Sequence, residues 1–224
     1  MSDFLATIPE RLWSTIHTFC SDMWEGYLSA IGEFISEHPA LEAHLVADRF
    51  HIAKQYRDCV DTVRKQVSKQ LRKTLPEDEY KTLTERIHWV VRRNHAAVDE
   101  DDRQRLRDLF QHAPQLHQAY TLREELTAIF NLPLSVATGR QRLLAWARKA
   151  ERLAPTCFTK FIKLLRRHID LIANYFLRRA SSGFVEGFNN KLKLITRRSY
   201  GIRRTDSLFR RLWLDTAGYR LFIA

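Results

Sequence analysis

The sequence predicts a mainly α-helical fold with a small parallel β portion near the N-terminus. Glycine and proline number only 7 and 6 in 224 residues, too few for the turns of an all-β domain. From Phe50 to about Arg179, apolar residues recur at helical intervals almost throughout. The β portion follows from residues 16–47, where two short β-prone runs flank one amphipathic stretch. That succession is the signature of a strand–helix–strand unit with a right-handed crossover.

Taken in order, Pro9 and Glu10 open a short helix, proline being tolerated in a first turn. Residues 16–20 (IHTFC) form a strand that delivers Asp22 at its C-terminal end. Residues 23–35 form an amphipathic helix, and 41–47 (LEAHLVA) a second strand ending at Asp48. Two strands make no stable sheet alone, so further strands are expected from elsewhere, or the chain is a piece of a larger protein. Helices are predicted over 50–74, 78–93, 100–112, 115–130, 137–152 and 157–179, punctuated by Pro76, Asn94, Pro114, Pro133 and Pro155. Acidic residues gathered around Pro76–Glu79 and Asp99–Asp102 mark helix N-termini, where carboxylates complement the macrodipole. Trp89 and Trp146 fall on apolar positions and are read as core. Helices over 183–198 and 205–217 close the chain, with Thr205 as an N-cap. The expected partition is 1–52, 53–179 and 180–224.

A net charge of +11 and a pI near 9.9 point to a polyanionic partner, nucleic acid first. No long uncharged apolar stretch and no signal-peptide pattern is present, which argues against a membrane protein. The cysteines, Cys20, Cys59 and Cys157, are odd in number and far apart; they are expected as free, buried thiols in a reducing cytoplasm. The charge is uneven. Between Arg178 and Arg211 only Glu186 and Asp206 oppose a dense row of lysine and arginine, and a weaker basic stretch covers 54–73.

Three places hold residues capable of chemistry. In the run 182–204 (SGFVEGFNNKLKLITRRSYGIRR), Val185, Phe188, Leu192 and Ile195 form an apolar stripe. Glu186, Asn190, Lys193 and Arg197 share the opposite face. Glu186 by itself is either a solvated partner of Lys193 or Arg179, or a metal ligand among phosphate-binding cations. Asp22 is either an N-cap of the following helix or a ligand at a strand end, where α/β sheets bind their ligands. Asp48 and His51, three apart at a helix start, either cap and pack or share a proton or metal. Together, two strand-end aspartates and a distant glutamate in a basic chain fit a site for Mg²⁺ or Mn²⁺ acting on a phosphodiester.

The segments CSDMWEGY (20–27), VADRFHIAKQYR (46–57) and SSGFVEGFNNKLKLITRRSYGIRR (181–204) resemble DDE transposases of bacterial insertion sequences, most of all the ISL3 family. The resemblance covers essentially the whole chain. It implies a partial RNase H-like core with a large helical insertion domain, and Mg²⁺- or Mn²⁺-dependent DNA cleavage and strand transfer. By position, Asp22 matches the second catalytic aspartate and Glu186 the catalytic glutamate, both metal ligands; Asp48 and His51 match a supporting element. Asn190, Lys191, Lys193, Arg197, Arg198, Arg203 and Arg204 are the implied DNA-binding residues, with Asn189 beside them, and Trp24 either stacks on a base or packs. The first catalytic aspartate has no counterpart, Asp3 being a poor substitute, so a truncated, catalytically incomplete copy is expected. Implied partners are DNA (insertion-sequence ends and target), a second copy or full-length transposase, in the bacterial cytoplasm, with no membrane. The alternative is a non-catalytic, basic helical DNA-binding protein or transposition inhibitor.

Overall fold

The structure, a computed structural model, describes residues 1–153, 155–199, 201–202 and 204–221. They divide into two compact units, Met1–Ala180 and Ser181–Ala224.

The first unit opens with helix α1 (Ser2–Ala6) and a 3₁₀ turn (Glu10–Thr15). Strand β1 (Thr18–Ser21), helix α2 (Glu25–Glu37) and strand β2 (His44–Ala47) follow. The strands pair in parallel from Thr18 opposite His44 to Ser21 opposite Ala47. The crossover unit expected from sequence is therefore present, with both strands shorter than their apolar runs. A small core of Leu5, Ile31, Phe34, Leu41 and Ala43 seats α2 against the strands, and Trp13 and Phe19 pack on it. Asn174 donates from Nδ2 to the Leu45 carbonyl at 2.9 Å, occupying a backbone acceptor of β2.

Helix α3 (Arg49–Thr74) leaves β2 directly and, at 26 residues, is roughly 39 Å long. Ile52, Tyr56, Val60, Val63, Val67 and Leu71 are buried at steps of three and four, one stripe along the rod. It packs on α7 (Pro114–Asn131) and α9 (Pro155–Arg167), with α8 (Val136–Leu153) completing the bundle. Burying one such aliphatic side chain contributes about 1.5–3 kcal/mol, so this larger core stabilises the unit. Gly139 of α8 lets the Phe176 ring approach: a Cβ there would meet the ring at 2.2 Å. Trp146 is core as predicted, its indole N–H donating to the Leu122 carbonyl at 2.8 Å.

Two predicted helices are broken. Instead of one helix over 78–93, α4 (Glu77–Thr84) and α5 (Ile87–Val90) are separated at Arg86, whose φ of 57° is left-handed. Ile87, Val90 and Val91 then face the core and Trp89 is turned outward, 61% exposed, which corrects its reading as core. The stretch 157–179 becomes α9, α10 (Ile169–Ala173) and α11 (Tyr175–Arg178), ending at a second left-handed residue, Arg179. Its guanidinium donates to the carbonyls of Phe130, Asn131 and Leu132, groups that the end of α7 leaves unsatisfied. Helix α6 (Glu100–His112) begins where predicted, with Asp99 accepting from the Asp102 N–H at 2.8 Å.

Buried charge is paired. Arg123, 1% exposed, donates to the Val91 carbonyl at 2.8 Å and the Arg93 carbonyl at 2.9 Å and pairs with Glu124. Burial pushes the Asp61 carboxyl up, but hydrogen bonds from Arg64 and Lys65 and the nearby Arg92 outweigh it and hold it below the usual range. None of the three cysteines is in a disulfide, and all are partly buried. Burial, with the charge of Asp58, pushes the Cys59 thiol up to about 11. Burial, with Cys59 nearby, pushes Cys157 up to about 12.

The second unit is helix α12 (Gly183–Arg198), helix α13 (Thr205–Ala217) and a short 3₁₀ turn (Gly218–Leu221). Both helices have their predicted bounds. Arg204, not Thr205, is the residue before the second helix, and no side chain caps it. Ile195 and Leu212 are the buried apolar residues of this unit among those described. Lys191 and Asp215 tie the two helices at 2.9 Å, a hydrogen bond that holds the Asp215 carboxyl below its ordinary range.

Candidate metal centre and nucleic-acid interface

Parallel pairing brings the C-terminal ends of β1 and β2 side by side, so Asp22 and Asp48 leave the sheet at the same edge. Their side chains do different things. Asp48 is buried; it accepts from the Phe50 N–H at 3.2 Å, capping α3, and binds His51 Nδ1 at 2.7 Å. The Cys20 thiol donates to it over 3.9 Å. With Nδ1 engaged, the His51 ring is oriented, and its side chain remains 45% exposed. Capping and positioning are thus one arrangement, and the spacing of three residues produces it.

Arg49, between them, was not singled out by sequence. It donates to the Tyr175 hydroxyl at 2.7 Å and to Asn131, and lies over the rings of Phe130 and Tyr175. It therefore anchors the start of α3, and with it His51, to α7 and α11.

Asp22 is partly exposed and sits two residues before the helix-capping position, which is Trp24. Its Oδ1 accepts from the Trp24 N–H at 3.2 Å, a turn contact. Its other oxygen has no hydrogen-bond partner among the described residues, so a hard oxygen donor is available for a divalent cation. Among the described residues no three His, Cys, Asp or Glu side chains are grouped to hold a metal ion.

Glu186 lies in the first turn of α12, its N–H bonded to the Ser182 carbonyl at 2.8 Å. Within its unit it has no ion-pair partner among the described residues, so the pairing with Lys193 is absent. Asn190, Lys193, Arg197 and Arg198 are exposed on α12. Lys191 is engaged by Asp215, and Arg204 is 3.9 Å from Asp206. Arg203 lies outside the described residues. No helix among the described residues is long and apolar enough to cross a membrane.

Comparison with known proteins identifies the family of the chain. A family profile described as "Transposase", the ISL3 type of DDE transposase, matches residues 1–212. The chain is 29% identical over 207 residues to the transposase for insertion sequence element IS1001 of Bordetella parapertussis, covering 92% of this chain and 49% of that protein. It is 32% identical over 110 residues to the transposase for insertion sequence element IS1557 of Mycobacterium tuberculosis, covering 48% of this chain and 24% of that protein. The chain thus spans half or less of the length of these curated relatives. No solved structure matches it. The chain belongs to the ISL3 family of DDE transposases.

Proposed function

We propose that this chain carries the second aspartate and the glutamate of the metal site of an insertion-sequence transposase, Asp22 and Glu186, within an RNase H-like core whose helical insertion is the α3–α11 bundle. The observation that supports it most is the parallel strand pair delivering a partly exposed, incompletely hydrogen-bonded aspartate at its C-terminal edge. The chemistry supplied by Mg²⁺ or Mn²⁺, when bound, is activation of the attacking oxygen and stabilisation of the leaving one at a phosphodiester. Asp22 and Glu186 hold hard oxygen donors toward the ion. His51, oriented by Asp48, presents its Nε2 side to a DNA phosphate. Lys193, Arg197, Arg198 and Arg204 neutralise phosphates and set the register of the duplex. Asp22 and Glu186 together are one carboxylate short of the set that the family's chemistry shares between ions, so the chain assayed alone is expected to bind DNA without strand transfer.

The test combines two assays. DNA binding should weaken with salt, and Lys193→Ala with Arg197→Ala should make the log–log slope shallower by about 0.9 per lost contact. Incubation of supercoiled and terminal-repeat DNA with Mg²⁺ or Mn²⁺ should give no joined product. Binding indifferent to salt and to both substitutions would remove the DNA reading. Robust turnover abolished by Glu186→Gln would place the site correctly but refute the incompleteness.

A further inference from the structure

The aromatic residue beside Asp22 is held in an unusual way. Trp24 is 61% exposed, yet its ring is not free. The indole lies across Gly26, where an added Cβ would meet the ring's far edge at 2.4 Å, and Tyr27 meets it edge-on at 4.7 Å and 75°. Its backbone is fixed as well: the N–H donates to Asp22 Oδ1, and the carbonyl accepts from Tyr27 and Leu28 in the first turn of α2. Leu28, Ile31 and Phe34 bury the helix that carries it. The next side chain, Glu25, is engaged by Arg167 at 2.7 Å and lies 3.6 Å from His168 Nε2, so that carboxylate is paired. A large aromatic face kept in place and left largely exposed is what a base-stacking surface presents.

We propose that Trp24 is a preformed stacking platform for an unpaired nucleobase next to the phosphate at Asp22, an assignment that rests on the DNA reading above. The occupant is unpaired because a base inside a duplex has both faces covered by its neighbours; only a frayed, terminal or flipped base offers one. Gly26 is the seat: any side chain there displaces the indole, whose far end is the atom that must move.

The experiment compares binding of a blunt duplex with that of the same duplex carrying a short unpaired 3′ tail, with 2-aminopurine in the tail. The full chain should prefer the tailed DNA by about 5- to 150-fold, the span of one stacked base, and quench the probe. Trp24→Ala should bring the ratio close to one while blunt-duplex binding stays. Trp24→Phe should keep part of the preference. Gly26→Ala, which favours the helix, should lose it with the tryptophan still present. A tail preference that survives Trp24→Ala, or none in the unsubstituted chain, overturns the platform while leaving DNA binding intact. So does a Trp24→Ala change confined to self-association, which marks a protein contact. Binding of neither DNA overturns the underlying reading and the platform with it.

Discussion

The two units support their site residues by opposite means. In Met1–Ala180, Asp48 is buried and tied to three neighbours, and Arg49 pins the helix that presents His51 to two others. In Ser181–Ala224, Glu186 stands on a helix with one buried residue, while Phe184 is 83% and Trp213 50% exposed. The strand-end aspartates are built into a unit with a core of its own. Glu186 has, within its unit, little beyond helix propensity and the Lys191–Asp215 pair to hold its helix. Substitutions in the first unit should therefore cost stability, and those in the second should change interactions.

The largest effect is expected at Arg123. Arg123→Ala leaves the Val91 and Arg93 carbonyls unsatisfied inside the first unit, and should cost about 3–5 kcal/mol in urea unfolding. Asp48→Ala removes the α3 cap and the His51 partner, for about 2 kcal/mol; Asp48→Asn, able to cap, should restore much of it. Gly139→Ala forces the buried Phe176 ring to shift and should cost about 1–3 kcal/mol. Asp61 sets an acid limit. Its carboxyl is held below the ordinary 3.8, so its contribution is full above that value and is lost as pH falls through the lower folded value. Asp61→Asn should lower stability by about 1–3 kcal/mol at pH 7 and flatten the acid limb of unfolding below pH 4. Least affected should be Phe184→Ser, within about 0.5 kcal/mol. A large loss there would break the contrast between the units.

Much of this was legible in the sequence, for local reasons. The helices at 49–74, 100–112, 183–198 and 205–217 have sustained periodicity and clear boundaries, and their extents were read almost to the residue. The breaks at Arg86 and Arg179 were not legible; at Arg179 the left-handed turn is offset by hydrogen bonds to the end of α7, which only the fold brings near. Trp89 was misplaced although a signal existed: Ile87, Val90 and Val91 define the buried face, and position 89 is off it. The Asp48–His51 pair followed from spacing, whereas the anchoring of Arg49 needed Tyr175 and Asn131, which only the fold brings near. Asp22 was legible as a strand-end acid; the seat that Gly26 gives Trp24 was not, since nothing in a single glycine announces which ring lies over it.

The proposal that Asp22 and Glu186 ligate one divalent cation can be tested by iron-directed cleavage of the polypeptide. Fe²⁺ replacing Mg²⁺ reduces added hydrogen peroxide to hydroxide and hydroxyl radical, ascorbate returns the Fe³⁺ to Fe²⁺, and the radicals cut the backbone beside the bound ion. A shared ion predicts cuts near both residues 22 and 186, competed by Mg²⁺, with Asp22→Asn and Glu186→Gln each removing both sets. Cuts near one residue alone, or a pattern unchanged by either substitution, would contradict it.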